Sequence, residues 1–220
     1  MKKRITCLLA ALLLAGCPVL TGCGKSESSE SEYEMPYGST LTLDTGLPVP
    51  MQYDNRFIDS DLAEAMAHYY HAIQANDPVE YSAALFPLYH NYELANFYDG
   101  EVTDADIVGN TYDMLLNYYG KDFDFALADI QQLITKDNIN PDRDAVKNML
   151  IDLAADEQVE NFEKDLEALY RADLTLYLTD KNSGVHIETE HPITGEVLYC
   201  AKYQGKWYVF FVAASAPEEE

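Results

Sequence analysis

The chain has little positive charge. Of its 220 residues, 14 are Lys or Arg and 38 are Asp or Glu, which gives a formal charge of −24 at pH 7. Affinity for nucleic-acid phosphates comes from Lys and Arg, so this composition argues against a nucleic-acid partner. Such a charge is typical of proteins kept soluble by mutual repulsion, and it leaves calcium or a basic partner as alternatives.

The chain also lacks an apolar run long enough to cross a bilayer. Its most apolar segment, residues 5–20, is 16 residues long and is interrupted by Gly16 and Pro18, whereas a spanning helix needs about 20. Together with the basic residues 2–4, this segment has the order of a secretory signal peptide. We therefore expect an exported protein from which residues 1–22 are removed.

The apolar segment ends in Leu20-Thr21-Gly22-Cys23, which resembles the lipobox of bacterial lipoproteins. The resemblance implies that the Cys23 thiol receives a diacylglyceryl group, with fatty acids such as palmitate, and anchors the protein at the outer face of the cell membrane. A second match ends at Cys17 and stays an alternative, as does a secreted protein without lipid. Cleavage before Cys23 leaves a polar Ser/Glu spacer at 24–32, so we favour Cys23.

Cysteine is scarce in the mature chain. Of the four cysteines, only Cys23 and Cys200 remain after this cleavage, and acylation of Cys23 leaves Cys200 without a disulfide partner. The fold must therefore be stabilised by a hydrophobic core. Because Cys200 lies in an apolar strand pattern, we expect a buried, inert thiol.

Composition divides the mature chain into a tether, one domain and a tail. Residues 23–54 are rich in Ser and Glu, then in Pro and Gly, with little periodicity, which predicts a flexible tether. Residues 55–213 have periodic apolar patterns and enough length for a single domain with a sizeable core. Residues 214–220 are predicted to form an acidic tail.

The first half of the domain has the patterns of helices. Four start signals precede apolar stripes: Asp61 with Glu64, Asp77-Pro78, Thr103, and Asn140-Pro141. The first stripe is Leu62, Met66, Tyr69 and Ile73. Pro87 should interrupt the second helix and Gly120 should end the third. Val159, Phe162, Leu166 and Leu169 have helical spacing, which predicts a further helix.

The second half has the patterns of strands. The candidates are residues 123–130, 174–178, 185–187, 197–201 and 207–212. Short connections between the last four predict an antiparallel meander. Residues 207–212 are apolar on both faces, as expected for a central strand covered on both sides. Helices followed by one antiparallel sheet define an α+β protein with its N-terminal helices packed on a C-terminal meander.

This order, the opening helix Tyr69–Asp77 and the closing Gly205-Lys206-Trp207-Tyr208-Val209 resemble the cone-shaped, cystatin-like domains of the nuclear-transport-factor-two-like superfamily over residues 58–213. The resemblance implies a sheet that curls around the first helix and leaves an apolar pocket. Some members are dehydratases or isomerases with a pocket His and Asp, and many only bind ligands or dimerise. The resemblance therefore leaves function open.

Two groups of polar residues are candidate sites. Glu64, His68 and His71 share one helical face, and such ligands could bind zinc or copper. That face lies opposite the apolar stripe, so we favour a solvated surface there and assign no metal or cofactor. His186 and Glu188 could form a pocket acid–base pair if a cavity enclosed them.

Tyrosine is abundant, with 17 residues. Tyr69, Tyr92, Tyr118 and Tyr177 fall on apolar stripes, which favours packing in the core. The alternative is a Tyr-lined pocket, for which Tyr177 and Tyr199 are candidates.

The sequence contains no phosphate loop, cysteine-pair zinc site, nucleophile elbow or calcium loop. We therefore expect a membrane-anchored, extracytoplasmic protein that is not an enzyme. It would bind a small ligand, a glycan or a protein partner through an aromatic-lined pocket. The alternatives are a small lyase or isomerase, and an accessory subunit of an envelope system.

The lipobox predicts the mature N-terminus. Mass spectrometry of the N-terminal peptide should find Cys23 as its first residue, carrying the mass of a lipid anchor. A Cys17→Ser variant should give the same peptide, because Cys17 lies in the removed segment. A mature protein that begins at Gly24 or later would contradict the prediction.

Overall fold

The computed structural model describes residues 35–97, 101–181 and 192–212. Over these residues the chain is an α+β protein with six helices and a six-stranded mixed sheet, so the predicted class is confirmed. The elements are β1 (Thr42–Asp44), β2 (Met51–Tyr53), α1 (Ser60–Ala75), α2 (Pro78–Ala84), α3 (Pro87–Phe97), α4 (Asp104–Tyr119), β3 (Phe123–Ile134), α5 (Pro141–Asp156), α6 (Phe162–Asp165), β4 (Leu166–Asp180), β5 (Ile193–Tyr203) and β6 (Lys206–Phe210). The signal peptide, Cys17, Cys23, the predicted strand 185–187 and the tail 214–220 lie outside the described residues.

Local capping determines where most of the helices begin. Asp77, Thr103 and Asn140 each accept a hydrogen bond from a backbone N–H in the turn that follows, which confirms three predicted starts. For α1 the cap is Asp59, whose carboxylate accepts a hydrogen bond from the backbone N–H of Leu62 at 2.8 Å. The predicted cap at Asp61 is therefore wrong, because neighbouring acidic residues offer the same local signal.

The sheet follows the chain order β1 to β6. Strands β3 to β6 are antiparallel neighbours, which confirms a meander over the strands that the structure describes. Strand β2 instead pairs parallel with β3, with Met51 opposite Ala128. The helices α1 to α4 supply the long crossover that a parallel pair requires.

The predicted tether is wrong for residues 35–54, which belong to the folded unit. Val49 and Met51 are fully buried, and β1 and β2 extend the sheet. The Pro and Gly residues that indicated a linker make the turns around two three-residue strands. Strands this short carry too little periodicity to be found from sequence.

A buried ion pair holds this N-terminal segment in place. The carboxylate of Asp54 is fully buried, pairs with the guanidinium of Arg56 and accepts the N–H of Gly38 at 3.1 Å. Arg56 also donates to the carbonyl of Pro36 at 3.2 Å. The hydrogen bond from Arg56 outweighs burial and lowers the pKa of Asp54, so the pair is charged at neutral pH.

The predicted helix over 159–169 is also wrong beyond Asp165. Leu166 and Leu169 lie in β4, where they pair with Tyr203 and Ala201 of β5. Their spacing fits a helical stripe, but a strand partner more than 30 residues away along the chain decides the structure. Helix α6 keeps only the four residues before β4.

The two faces of the sheet line two hydrophobic cores, because alternate residues of a strand point to opposite faces. Leu174 and Leu176 of β4 face the core that holds α1, whereas Leu169 belongs to the core that holds α5. On β5, Cys200 faces the α1 core and Tyr199 the α5 core. Cys200 is fully buried, as predicted, and burial raises the pKa of its thiol.

Strand β6 is covered on both faces, as predicted, but lies at the edge of the sheet and not at its centre. Val209 packs in the α1 core and Phe210 in the α5 core. The N–H of Phe86 donates to the carbonyl of Val209 at 2.9 Å. The segment between α2 and α3 therefore occupies part of this edge, which limits pairing with other chains.

The turn before β6 places the single tryptophan of the chain. Gln204 and Gly205 have φ values of 50° and 81°, as a tight hairpin turn requires. Trp207 follows, with its ring 5.2 Å from that of Tyr170 and the ammonium of Lys202 5.7 Å from its centroid. This agrees with the predicted hairpin between β5 and β6.

Truncation of this tryptophan should be costly. The side chain of Trp207 is 6% exposed, so Trp207→Ala should lower the free energy of unfolding by about 3–5 kcal/mol in a urea titration. Val79→Ala is the control, because Val79 is 78% exposed and should change stability by no more than about 0.5 kcal/mol. A loss below about 1 kcal/mol for Trp207→Ala would contradict its place in the core.

Candidate functional site

A cavity of about 380 Å³ opens between α1, α4 and the sheet. We call it the Tyr70 pocket. Its volume is in the range of small-molecule sites. Aromatic residues make up much of its lining: Tyr69, Tyr70, Tyr118, Phe125 and Phe211. Aliphatic lining comes from Ile73, Leu115, Leu176 and Ile193.

The aromatic rings form a connected wall. The Tyr70 ring lies 5.1 Å from that of Tyr69 and 5.4 Å from that of Phe125, and Tyr69 lies 5.4 Å from Phe211. At the rim, Met114 and Tyr118 of α4 are 62% and 58% exposed. The pocket therefore has a buried aromatic floor and an apolar rim that faces solvent.

Glu196 brings a carboxyl group into this lining. It alternates along β5 with Leu198 and Cys200, which are fully buried in the α1 core, so its side chain faces the same side of the sheet. Among the described residues Glu196 has no hydrogen-bond or ion-pair partner. Burial raises its pKa. Sequence analysis missed Glu196, although the alternation of the strand placed it on the inner face.

A β-bulge lies directly beside this carboxyl group. Leu174 pairs with Glu196 and Leu176 with Ile193, so β5 contains one more residue than β4 between these pairs. The bulge includes Gly195, whose φ of 78° lies in the left-handed region. Glycine adopts this conformation with little steric strain. Bulges of this kind re-aim side chains beside binding sites.

The hydroxyl of Tyr70, a residue that lines the pocket, is a buried polar group. The side chain is 2% exposed, and its oxygen has no hydrogen-bond partner among the described residues. Burial first, and then the charge of Glu196, raise the pKa of Tyr70, so the hydroxyl keeps its proton. A buried hydroxyl without a partner costs about 1–3 kcal/mol, which a bound ligand could recover.

The residues predicted for a pocket do not line this one. Tyr177 and Tyr199 lie at odd positions of β4 and β5, on the opposite face from Leu176 and Cys200, and Tyr199 stacks on Phe210 in the α5 core. These two candidates do not line the Tyr70 pocket, because the register of the sheet and not the residue type decides the face. His186 and Glu188 lie outside the described residues.

The prediction that tyrosines belong to the core holds for some of them. Tyr69 and Tyr199 are buried, and Tyr92 and Tyr177 are half-buried. Tyr118, which was predicted on an apolar stripe, is exposed at the rim of the Tyr70 pocket. Some of the tyrosines therefore pack in the hydrophobic cores, and others line the Tyr70 pocket.

Glu64 and His68 lie exposed on α1 and His71 lies half-exposed, close to the predicted solvated face. The two histidines meet Glu80 of α2: His68 Nδ1 is 2.5 Å and His71 Nδ1 2.8 Å from its carboxylate oxygens. Burial opposes the charge of Glu80, but these hydrogen bonds outweigh it and lower the pKa of Glu80. No group of His, Cys, Asp and Glu among the described residues has the arrangement of a metal site.

A second cavity, of about 400 Å³, lies beside these residues between α1, α2 and β6. Three of its charged groups already have protein partners. His68 and Glu80 contact each other, and Lys206 Nζ donates to the carbonyl of Ala83 at 3.1 Å. We therefore regard it as a weaker candidate than the Tyr70 pocket.

His90 is a buried histidine that sequence analysis did not single out. Its Nε2 lies 2.6 Å from an oxygen of Asp104, and its Nδ1 lies 3.8 Å from Glu93. Burial opposes the protonation of His90, but the two carboxylates outweigh it and raise its pKa. The residue joins α3 to the first turn of α4 and does not line the Tyr70 pocket.

No protein-family model, curated protein or solved structure matches this chain. Within residues 35–97, 101–181 and 192–212, the helices are all too short or too polar to cross a membrane. The function must therefore be argued from the pocket and from the sequence.

The partly buried carboxyl group of Glu196 predicts a pH-dependent stability. A raised pKa means that folded Glu196 takes up a proton at higher pH than in the unfolded chain, so stability rises as pH falls through this pKa towards the ordinary value of 4.5. Glu196→Gln should therefore be more stable than the natural protein in urea titrations at pH 7, and the difference should shrink at pH 4.5.

The exposed Glu160 provides the matched control. Glu160→Gln should show no such pH-dependent gain. Equal behaviour of the two variants would mean that the long-range charge of the protein, and not the pocket, sets the effect.

Proposed function

We propose that this chain is a bacterial protein, lipid-anchored at the outer face of the cell membrane, whose domain binds a small, largely apolar ligand in the Tyr70 pocket. The observation that carries the proposal is a pocket with aromatic walls in which two polar groups, Tyr70 Oη and Glu196, have no partner among the described residues. Apolar walls with a few polar groups are typical of ligand sites.

The export and anchoring parts of the proposal come from the sequence. The lipobox ending at Cys23 and the polar spacer after it support a domain held close to a membrane. A glycan or an envelope protein remains the alternative partner, and an accessory subunit of an envelope system is the corresponding role. A concave cavity of about 380 Å³ between helices and the sheet favours a small molecule over either.

We also propose that the fold is a variant of the cone-shaped, nuclear-transport-factor-two-like domain. The support is a meander over α1 with an apolar pocket between them. The parallel strand β2 and the layer formed by α5 and α6 are additions to that plan.

The lyase or isomerase alternative requires a histidine and a carboxylate in the pocket of the sheet. His68 and Glu80 share the second cavity, but there the two side chains contact each other and lie outside the Tyr70 pocket. The lining described for the Tyr70 pocket supplies Glu196 and tyrosines but no histidine. Binding without turnover is therefore the function that we favour.

A variant that fills the pocket tests the proposal. The probe is phenylnaphthylamine, a neutral dye that fluoresces in apolar sites. It should bind the natural domain, and Thr111→Trp should abolish binding because Thr111 lines the pocket. Asn117→Trp, on an exposed position of the same helix, should bind the dye normally.

Thermal unfolding of both variants controls for misfolding. The proposal requires a folded Thr111→Trp protein that has lost the dye. Equal dye binding by both variants, or no binding by the natural domain, would contradict it.

A further inference from the structure

We propose that the ligand of the Tyr70 pocket carries a protonated amine, which pairs with the carboxylate of Glu196 at the aromatic wall of the pocket. The inference rests on the proposed function and adds the chemical class of the ligand. It predicts an amine with an apolar body, such as an arylalkylamine.

The first argument is the charge of the lining. Glu196 is the acidic residue of the described lining, which contains no Lys, Arg or His. Glu196 is half-buried beside apolar side chains, where an ionised carboxylate is less favourable without a cation nearby. An anionic ligand would meet Glu196 as a like charge, whereas an ammonium group would neutralise it.

The second argument is the hydrogen-bonding capacity of the two polar groups. An ammonium group has three donors and no acceptor, and an ionised carboxylate only accepts. The hydroxyl oxygen of Tyr70 can also accept a hydrogen bond and has no protein partner in the described part of the chain. Each of the two groups can therefore accept a hydrogen bond from an ammonium group.

The third argument is the aromatic wall itself. The rings of Tyr69, Tyr70, Phe125 and Phe211 line the cavity that holds Glu196. Aromatic faces attract cations, by about 0.5–2 kcal/mol for each well-placed ring. Aromatic rings beside a carboxylate are a recurrent way to hold an ammonium group.

The fourth argument concerns the apolar part of the ligand and its approach. Ile73, Leu176 and Met114 offer apolar surface along the same cavity. The formal charge of −24 attracts cations to the protein over a longer range. An organic amine therefore suits both the interior of the pocket and the field around it.

A series of three probes of nearly equal shape tests the proposal: phenylbutylamine, phenylbutanol and phenylbutyrate. Each is titrated into the natural domain at neutral pH and moderate salt, with displacement of phenylnaphthylamine as the signal. We expect the amine to bind at least about tenfold more tightly than the alcohol, as a charged hydrogen bond would give. The carboxylate should bind most weakly.

Glu196→Gln is the decisive variant. It keeps the shape of the side chain, and it should reduce the affinity of the amine to that of the alcohol. Glu160→Gln removes one exposed negative charge elsewhere and should leave the preference intact. The two variants together distinguish recognition of the amine by Glu196 from electrostatic attraction of the amine by the net charge of the protein.

Three outcomes would overturn the proposal. Equal binding of amine and alcohol would show that charge is not recognised, and a preference that survives Glu196→Gln would come from the overall field. Failure of the amine to displace the dye would exclude the amine class. The dye experiment with Thr111→Trp tests the small-molecule pocket separately. In each of these cases the pocket would still be supported if Thr111→Trp abolishes dye binding, so the amine proposal can fail without the pocket proposal.

Discussion

Strand β4 is the constraint on which the rest of the structure depends. It pairs with β3 along one side and with β5 along the other, and both of its faces are covered. Because its side chains alternate, Leu174 and Leu176 complete the α1 core while Leu169 completes the α5 core. A slip of one residue would exchange these faces and expose both cores. The same register fixes β5, and through β5 the inward position of Glu196.

Local signals explain which parts of the fold could be predicted. The caps at Asp77, Thr103 and Asn140 act within one turn of the residues they bind, so the sequence alone reveals them. Leu166 and Leu169 could not be placed from spacing, because their structure depends on pairing with Tyr203 and Ala201. The prediction for residues 35–54 failed for the same reason, since β2 pairs with β3, more than 70 residues away along the chain, and β1 pairs with β2.

In the candidate site, too, some features could be predicted from the sequence and others could not. An aromatic-lined pocket was predicted as a class, and the alternation of Glu196 with Leu198 and Cys200 was present in the sequence. The burial of the Tyr70 hydroxyl without a partner among the described residues could not be predicted from the sequence, because it depends on every element around it. Tyr177 and Tyr199, candidates chosen by residue type alone, do not line the Tyr70 pocket.

The burial of Cys200 has a practical consequence for the study of this domain. Its sulfur lies inside β5, flanked by β4 and β6. A thiol-specific reagent can reach it only in molecules whose strands have separated, so the labelling rate counts the opening events of the sheet. If Cys23 is acylated, its thiol is silent to such reagents. The reaction of Cys200 would then measure strand separation in the mature protein without an engineered cysteine.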